Sequence, residues 1–299
     1  VVTRFKRYSS RSTPFHPSVI MPTTLGTFEL IKIIGRGGMG DVWSGFHVSE
    51  NEPVAVKVLT RTGARREEYL EAFLNEVRAV AGLNHPNIVI PLDYGEVTVA
   101  QAAASSGQLA QGSPYIVMEL AERGSLRRFQ STMRWPHVRA ALLVVLEALG
   151  HAHAAGIIHR DLKPANILVG CRGPNAGIKL TDFGLARAAD SFVQEGSEET
   201  GWGTPHYMAP EQFRGTWRDY GPWTDLYSLG VTAFELIDGR LPFLATSAMG
   251  FAKAHTSSAV RPIEPKFPVP EGIEGWIARL MHKSPQERFL CAADAAFAL

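Results

Sequence analysis

The sequence is poor in cysteine, has no excess of charge of either sign, and contains no long apolar run. Its two cysteines, Cys171 and Cys291, are too far apart to suggest a metal-ligating or redox pair. Such sparse cysteine favours a reducing compartment, and we expect a cytoplasmic location. Thirty Lys plus Arg against 29 Asp plus Glu leave a net charge of +1, so no global field points to a nucleic-acid partner. The most apolar run, residues 140–149, is broken by Glu147 and is shorter than the roughly 20 residues that cross a bilayer. We therefore expect a globular protein with no membrane segment in this chain and no nucleic-acid partner.

Residues 1–27 differ in composition from the rest. Basic side chains between positions 4 and 11 alternate with Ser, Thr and Pro, and no apolar stretch follows them. This pattern excludes a secretory signal. We expect a flexible basic N-terminal arm, for which a basic docking element is the weaker alternative, and Met21 could be the natural start.

The pattern of apolar residues predicts strands first and helices later. Short alternating runs over residues 28–59 predict an antiparallel meander, and helical spacing predicts a helix over 67–81. Further strands are expected at 88–96 and 115–120. The Ala-, Ser-, Gln- and Gly-rich stretch 100–113 is typical of an extended hairpin loop.

Beyond Gly124 the spacing becomes mostly helical, and Pro136 stands where a first-turn proline belongs. We therefore predict an α+β protein of two lobes. A small antiparallel β lobe with one main helix covers 28–120, a connector covers 121–124, and a larger helical lobe covers 125–299. Clefts between lobes are common sites for small ligands.

A glycine-rich turn lies between the first two predicted strands. It consists of Gly35, Arg36, Gly37, Gly38, Met39 and Gly40. Backbone without side chains can close over phosphates and donate amide hydrogens to them. The turn also fits an ordinary hairpin, or a dinucleotide-binding turn if a helix followed. Because a strand follows at 42–46, a lid over phosphates is favoured.

The strand that includes Val54, Ala55, Val56 and Lys57 places Ala55 and Lys57 on one face. There a small residue could pack on a base while a cation reaches phosphates. A single lysine is more often a solvated surface residue. Lys57 lies within an apolar run, however, and needs an anionic partner. Glu76, at the edge of the predicted helix's apolar stripe, is the candidate.

Four polar residues supply the chemistry of phosphoryl transfer. Asp161 would accept or orient the proton of an attacking hydroxyl, and Lys163 would offset charge on the transferring group. Asn166 and Asp182 would bind magnesium through oxygen atoms. Alone, Asp182-Phe183-Gly184 could be a chance turn. The tripeptide comes after both Lys57 and the loop that contains Asp161, and this order of motifs argues against coincidence.

Taken together, these motifs resemble the catalytic domain of eukaryotic-type protein kinases, most closely the bacterial Ser/Thr members. The match runs from about Phe28 to the C-terminus and includes Ala209-Pro210-Glu211, Asp225 and Arg288. The resemblance implies a two-lobed fold, protein substrates, ATP, and Mg²⁺, for which Mn²⁺ can substitute. It leaves the oligomeric state open.

The resemblance also implies roles for residues around the nucleotide. Adenine would lie among three apolar side chains, those of Val42, Ala55 and Leu168. The backbone of a hinge would bond the base, with the hinge formed by Met118, Glu119, Leu120 and Ala121. An internal spine would stack above Asp225 and consist of Val80, Leu92, His159 and Phe183. Glu211 would pair with Arg288.

Specificity and regulation are implied in the same way. Lys163 and Pro164 come after Asp161 as they do in the Ser/Thr branch of the family. Thr204 resembles the substrate-facing threonine of that branch. Arg160 resembles the arginine that binds a phosphorylated activation segment. The acceptor candidates in that segment are Ser191, Ser197 and Thr200. Two glutamates at 198 and 199 could instead occupy the arginine's pocket without modification.

Two other functional classes need comparison. A pseudokinase that acts as a binding module would be expected to lack Lys57, Asp161 or Asp182, and all three are present. A small-molecule kinase of the same fold would be expected to replace the region 203–211, which is intact. The sequence therefore predicts an active Ser/Thr protein kinase, with the pseudokinase-like binding or scaffold module as the alternative.

Overall fold

The structure is a computed structural model that describes residues 23–37, 40–59, 66–170, 177–183, 205–215 and 217–299. Within these ranges, the side chains of 66–72, Glu76 and Trp217 lie outside the description. Residues 1–22 of the expected N-terminal arm also lie outside the described residues.

A six-stranded antiparallel sheet forms the first lobe. Its strands are β1 (Thr23–Leu25), β2 (Phe28–Gly37), β3 (Gly40–His47), β4 (Glu52–Leu59), β5 (Pro91–Glu96) and β6 (Pro114–Glu119). They lie in the order β1-β2-β3-β4-β6-β5. The meander over 28–59 and the two later strands are thereby confirmed.

The first strand corrects the expected boundary of the arm. Thr24 pairs with Glu29 across a tight turn in which Gly26 has a φ of 59°, a conformation that glycine adopts without steric cost. Leu25 is fully buried in the outer core of the sheet. Residues 23–25 therefore form an edge strand of the sheet and residues 26–27 form its turn, with Leu25 buried and Gly26 supplying the left-handed backbone.

The stretch 100–113 was expected to be a loop, and that expectation is wrong in part. Helix α2 (Val99–Ala104) occupies its first five residues. The Thr98 hydroxyl accepts a hydrogen bond from the Gln101 N–H, and the Gln101 side chain accepts one from the Thr98 N–H. This reciprocal cap stabilises a short helix whose alanines favour helical backbone.

The main helix of the first lobe, α1 (Arg66–Ala81), confirms the helix predicted over 67–81. Phe73 and Val77 on one face are buried against the sheet. They share a cluster with Ala55 and Met118, so α1 covers the sheet face on which Ala55 lies.

The second lobe is mainly helical, which confirms the two-lobed α+β architecture. Its helices include α3 (Trp135–Ala154), α4 (Pro210–Arg214), α5 (Pro222–Asp238), α6 (Ala248–Ser257), α7 (Ile273–Leu280) and α8 (Ala292–Phe297). A two-stranded sheet is formed by β7 (Ile167–Gly170) and β8 (Gly177–Leu180). Helix α5 is buried along nearly its whole length and forms the centre of the lobe's core. In the described part of the chain, no helix has the length and apolar character needed to cross a membrane.

A buried ion pair joins α4 to the C-terminal region, as the family resemblance implied. The Arg288 guanidinium donates to both carboxylate oxygens of Glu211 at 2.8 and 3.0 Å. Both residues are almost completely buried, and the Thr224 hydroxyl also donates to Glu211. The pair is bidentate and hydrogen-bonded, which is the arrangement that offsets the desolvation of two charges.

Candidate active site

The cleft between the lobes contains an ion pair with one partner from each lobe. Lys57 on β4 places its Nζ atom 2.7 Å from Oδ2 of Asp182, which follows β8. Only 6% of the Lys57 surface is exposed. The structure thus places the predicted phosphate-binding cation beside the predicted metal ligand.

Asp182 has an unusual backbone and a perturbed carboxyl group. Its φ is 64°, in the left-handed region that residues other than glycine rarely adopt. Burial alone would raise the pKa of this carboxyl, but the charge and hydrogen bond of Lys57, together with the charge of Lys163, lower the pKa. Asp182 is therefore an anion at neutral pH, as a metal ligand needs to be.

The predicted catalytic loop forms a compact hydrogen-bonded unit around Asp161. Lys163 Nζ lies 2.7 and 3.0 Å from the two carboxylate oxygens of Asp161. The Asn166 side-chain N–H₂ donates to the Asp161 carbonyl at 2.8 Å and to its carboxylate at 3.0 Å. The structure therefore brings three of the predicted residues together and orients the carboxylate of Asp161.

Asp225, at the start of α5, holds this loop from below. One carboxylate oxygen accepts a 2.8 Å bond from the His159 N–H, and the other accepts one from the Arg160 N–H. His153 Nε2 lies 2.8 Å from the first of these oxygens. Burial would raise the pKa of Asp225, but the bonds to His153 and His159 lower it. The carboxylate fixes the left-handed backbone at Arg160, whose φ is 66°.

The apolar residues expected around adenine lie together. Ala55 and Met118 are buried in one cluster, and Val42 and Leu168 pack against its edge. Leu120 joins them at the connector. These residues thus form an apolar cluster at the end of the cleft next to the connector.

The glycine turn is a hairpin between β2 and β3 as far as it is described. Gly35 pairs with Val42, Arg36 with Asp41, and Gly37 with Gly40. A Cβ atom on Gly40 would lie 2.1 Å from the Val58 carbonyl oxygen, so the neighbouring strand requires glycine at this position. Gly38 and Met39, predicted to contact the nucleotide, lie outside the described residues.

Comparison with known proteins agrees with this geometry. The family model for the protein kinase domain matches residues 28–294. This chain belongs to the protein kinase family. Membership implies ATP and a divalent metal ion.

Three bacterial relatives are similar to this kinase domain over most of its length. The probable serine/threonine-protein kinase PknB of Bifidobacterium longum is 36% identical, over 93% of this chain and 40% of its own length. The serine/threonine-protein kinase Pkn1 of Myxococcus xanthus is 38% identical, over 91% of this chain and 37% of its own. The serine/threonine-protein kinase PknA of Mycobacterium tuberculosis is 36% identical, over 89% of this chain and 59% of its own. The kinase domain thus spans between about two fifths and three fifths of these relatives.

The donor atoms of Asn166 and Asp182 fit a divalent cation. The Asn166 amide nitrogen donates hydrogen bonds to Asp161, so the Oδ1 atom of Asn166 is the group that can serve as a metal ligand. The Thr181 N–H donates to the Asn166 carbonyl at 3.0 Å, which places Asp182 next to this loop. A hard cation bound by one carboxylate and one amide oxygen would complete its shell with phosphates and water.

The spine expected inside the kinase domain needs one correction. The His159 and Phe183 rings lie 4.5 Å apart, and Val80 and Phe183 line one small cavity. Leu92, however, is 53% exposed, and Pro91 lines that cavity instead. The prediction of Leu92 is wrong because the pairing of β5 with β6 shifts between Pro91 and Asp93, which changes which side chains face inward.

The predicted phosphate acceptors and one predicted side chain of α1 are outside the described part of the chain. Ser191, Ser197, Thr200 and Thr204 lie outside the described residues, as does the Glu76 side chain. The pairing of Lys57 with Glu76 therefore stays a prediction. Within the described part, the partner of Lys57 is Asp182.

The sequence analysis missed three residues that help to build the site. Lys179 and Thr181 precede Asp182 and contact the hinge strand, through Glu119 and Met118 respectively. His153 contacts the carboxylate of Asp225. A lysine inside the otherwise apolar strand β8 was the available signal, since a buried lysine requires an anion. Nothing in the local sequence indicated the partner of His153.

Proposed function

We propose that this domain transfers the γ-phosphoryl group of ATP to Ser or Thr hydroxyls of proteins, with Mg²⁺ as the metal and Mn²⁺ as a substitute. The observation that supports it most is the convergence of Lys57 and Asp182 from two lobes at 2.7 Å. Lys163 and Asn166 orient the carboxylate of Asp161 in the adjoining loop, in which the Asn166 carbonyl accepts a hydrogen bond from the Thr181 N–H. Residues far apart in the sequence thereby meet in one cleft.

In the proposed reaction, the substrate hydroxyl oxygen attacks the γ-phosphorus, and the bond from that phosphorus to the bridging oxygen breaks, releasing ADP. Asp161 orients the hydroxyl and accepts its proton. Lys163 offsets negative charge that develops on the transferred group, and Lys57 holds the remaining phosphates. A bound divalent cation would supply further charge neutralisation at Asn166 and Asp182.

The preference for Ser and Thr rests on similarity. Lys163 and Pro164 follow Asp161 as in the Ser/Thr branch, and the relatives carry serine/threonine kinase names. Thr204 is proposed to face the substrate. The cytoplasm, which supplies ATP, is the proposed compartment.

Autophosphorylation of the activation segment is part of the proposal. The candidate acceptors are Ser191, Ser197 and Thr200, and Arg160 would bind the phosphate. Intact-mass measurement and peptide mapping after incubation with ATP test this. A fully active enzyme without phosphate between residues 191 and 204 would contradict it.

Transfer of radiolabelled phosphate from ATP to a generic basic protein tests the main proposal. Asp161→Asn should nearly abolish transfer while nucleotide binding persists, and Lys57→Met should weaken both. Asp294→Asn, an exposed carboxylate change on α8, is the matched control and should transfer at the wild-type rate. If the Asp161→Asn protein is as active as wild type, the assigned role is wrong. If wild type binds ATP but transfers nothing, the alternative of a binding module is favoured.

A further inference from the structure

A buried ion pair joins the hinge strand to the strand that leads to Asp182. Lys179 Nζ lies 2.8 Å from Glu119 Oε1, and the two side chains are 3% and 9% exposed. The same oxygen accepts a 3.0 Å hydrogen bond from the Ile90 N–H. Glu119 was predicted to contact the nucleotide because it belongs to the hinge. Its side chain, however, points toward Lys179. Only its backbone is therefore available to a base.

The ion pair has a neighbour that makes the same connection. The Thr181 hydroxyl donates to the Met118 sulfur at 3.8 Å. Two consecutive residues at the end of β6 thus contact Lys179 and Thr181, which alternate along the chain immediately before Asp182. The position of the metal ligand is coupled to the strand that continues into the adenine-binding connector.

Backbone hydrogen bonds alone do not select this register. The Leu180 N–H donates to the Asn87 carbonyl, and the Val89 N–H donates to the Leu180 carbonyl, each at 2.8 Å. Such bonds are chemically equivalent along a strand, so side chains select the register, here the buried Leu180 together with the contacts of Lys179 and Thr181. A charge pair between two particular side chains, in contrast, forms in one register only.

A contribution to folding stability does not by itself explain why Glu119 and Lys179 form a buried ion pair. Burying two charges costs desolvation energy, and well-packed apolar residues of similar volume often stabilise a protein as well or better. The position of the Asp182 side chain is tightly constrained, since its backbone has a φ of 64° and its carboxylate lies 2.7 Å from Lys57. We propose that Glu119 and Lys179 are positioning residues that set the place of Asp182, and so of the metal ion, relative to the hinge. This inference rests on the proposed function.

Three variants separate positioning from stability. Lys179→Met leaves Glu119 buried without its cation, whereas Glu119→Gln with Lys179→Met removes both charges and keeps an acceptor for Ile90. Arg261→Met is the matched control, because Arg261 donates at 2.6 and 3.0 Å to Asp238, a buried carboxylate at the far end of α5. For each protein, the measurements are the thermal unfolding midpoint, adenosine affinity in EDTA, and the Mg²⁺ concentration that half-saturates binding of a fluorescent ATP analogue.

We expect Lys179→Met to lower the unfolding midpoint and to raise the half-saturating Mg²⁺ concentration about tenfold, as loss of a group that supports a metal ligand does. The double variant should regain thermal stability but keep the raised Mg²⁺ requirement. Arg261→Met should lower the midpoint alone. Adenosine affinity should stay at the wild-type value in Lys179→Met and in Arg261→Met, because neither residue belongs to the apolar adenine site or to the hinge.

The inference is overturned if the Mg²⁺ requirement of the double variant returns to the wild-type value together with its stability. It is also overturned if Arg261→Met raises the requirement equally. Should Lys179→Met fail to fold, the double variant compared with wild type decides the question. Because binding is measured without transfer, a wild type that binds Mg²⁺ and nucleotide but phosphorylates nothing refutes only the proposed function. A wild type with no Mg²⁺-dependent nucleotide binding refutes both.

Discussion

The replacement Asp225→Asn tests whether the carboxylate under the catalytic loop holds that loop in its active shape. Asn has nearly the same volume, so the change creates no cavity. One side-chain oxygen remains to accept a backbone hydrogen bond, but the other becomes an N–H₂ group. That group would face the N–H of His159 or of Arg160, both of which now donate to the carboxylate at 2.8 Å.

The energetic cost follows from these contacts. A buried donor left without an acceptor costs roughly 1–3 kcal/mol, and the cost lies near the upper end here because the lost acceptor is charged. A loss of about 3 kcal/mol corresponds to a fall in Tm of roughly 6–12 °C for a large domain. The backbone at Arg160, which has a φ of 66°, would relax toward a commoner conformation and carry Asp161 with it.

A displaced catalytic group slows the reaction more than it weakens nucleotide binding. A shift of about 1 Å can cost on the order of a hundredfold in rate, so we expect kcat to fall tenfold to a hundredfold, roughly. The KM for ATP should change little, because Ala55 and Leu168 belong to other elements. The assay combines thermal unfolding with steady-state kinetics at a temperature where each protein is folded.

A second carboxylate on the same helix provides the control. Asp238 ends α5, is also buried, and binds Arg261 and Arg240 rather than the catalytic loop. Asp238→Asn should therefore lower Tm without lowering kcat. An unchanged kcat in folded Asp225→Asn, or an equal loss of kcat in Asp238→Asn, would refute the reasoning.

Three more predictions concern stability, the glycine turn and pH. Arg288→Met should cost about 3–5 kcal/mol in unfolding experiments, because Glu211 would stay buried without its cation; a loss below about 1 kcal/mol would show that the pair is dispensable. Gly40→Ala should raise the KM for ATP, because a Cβ atom would lie 2.1 Å from the Val58 carbonyl; an unchanged KM would contradict the close approach. The lowered pKa of Asp225 in the folded protein means that its contribution to stability is complete above the unfolded value of 3.8 and is lost as pH falls through the lowered value. As the pH falls from 3.8 toward the lowered value, wild type should therefore lose stability more steeply than Asp225→Asn, and coincident profiles would argue against the shift.

Local patterns were sufficient for most of the architecture. The alternation over 28–59 and the helical spacing over 67–81 each reflect burial of one face, which is a property of neighbouring residues. One expectation was wrong although a local signal was present: the cap formed by Thr98 and Gln101 begins a helix that extends into the expected loop. The exposed position of Leu92 could not be read in this way, because it depends on how β5 pairs with a strand that comes later in the chain.

The sequence by itself was sufficient to predict the chemistry proposed for this kinase domain, since Lys57, Asp161, Asn166 and Asp182 are recognisable by residue type, order and context. Only the tertiary structure decided which groups hold them. The contact of Lys179 with Glu119 joins residues 60 positions apart, and that of Asp225 with the His159 N–H joins residues 66 apart. Contacts of this kind arise when separate elements pack together, and no periodicity along one element encodes them.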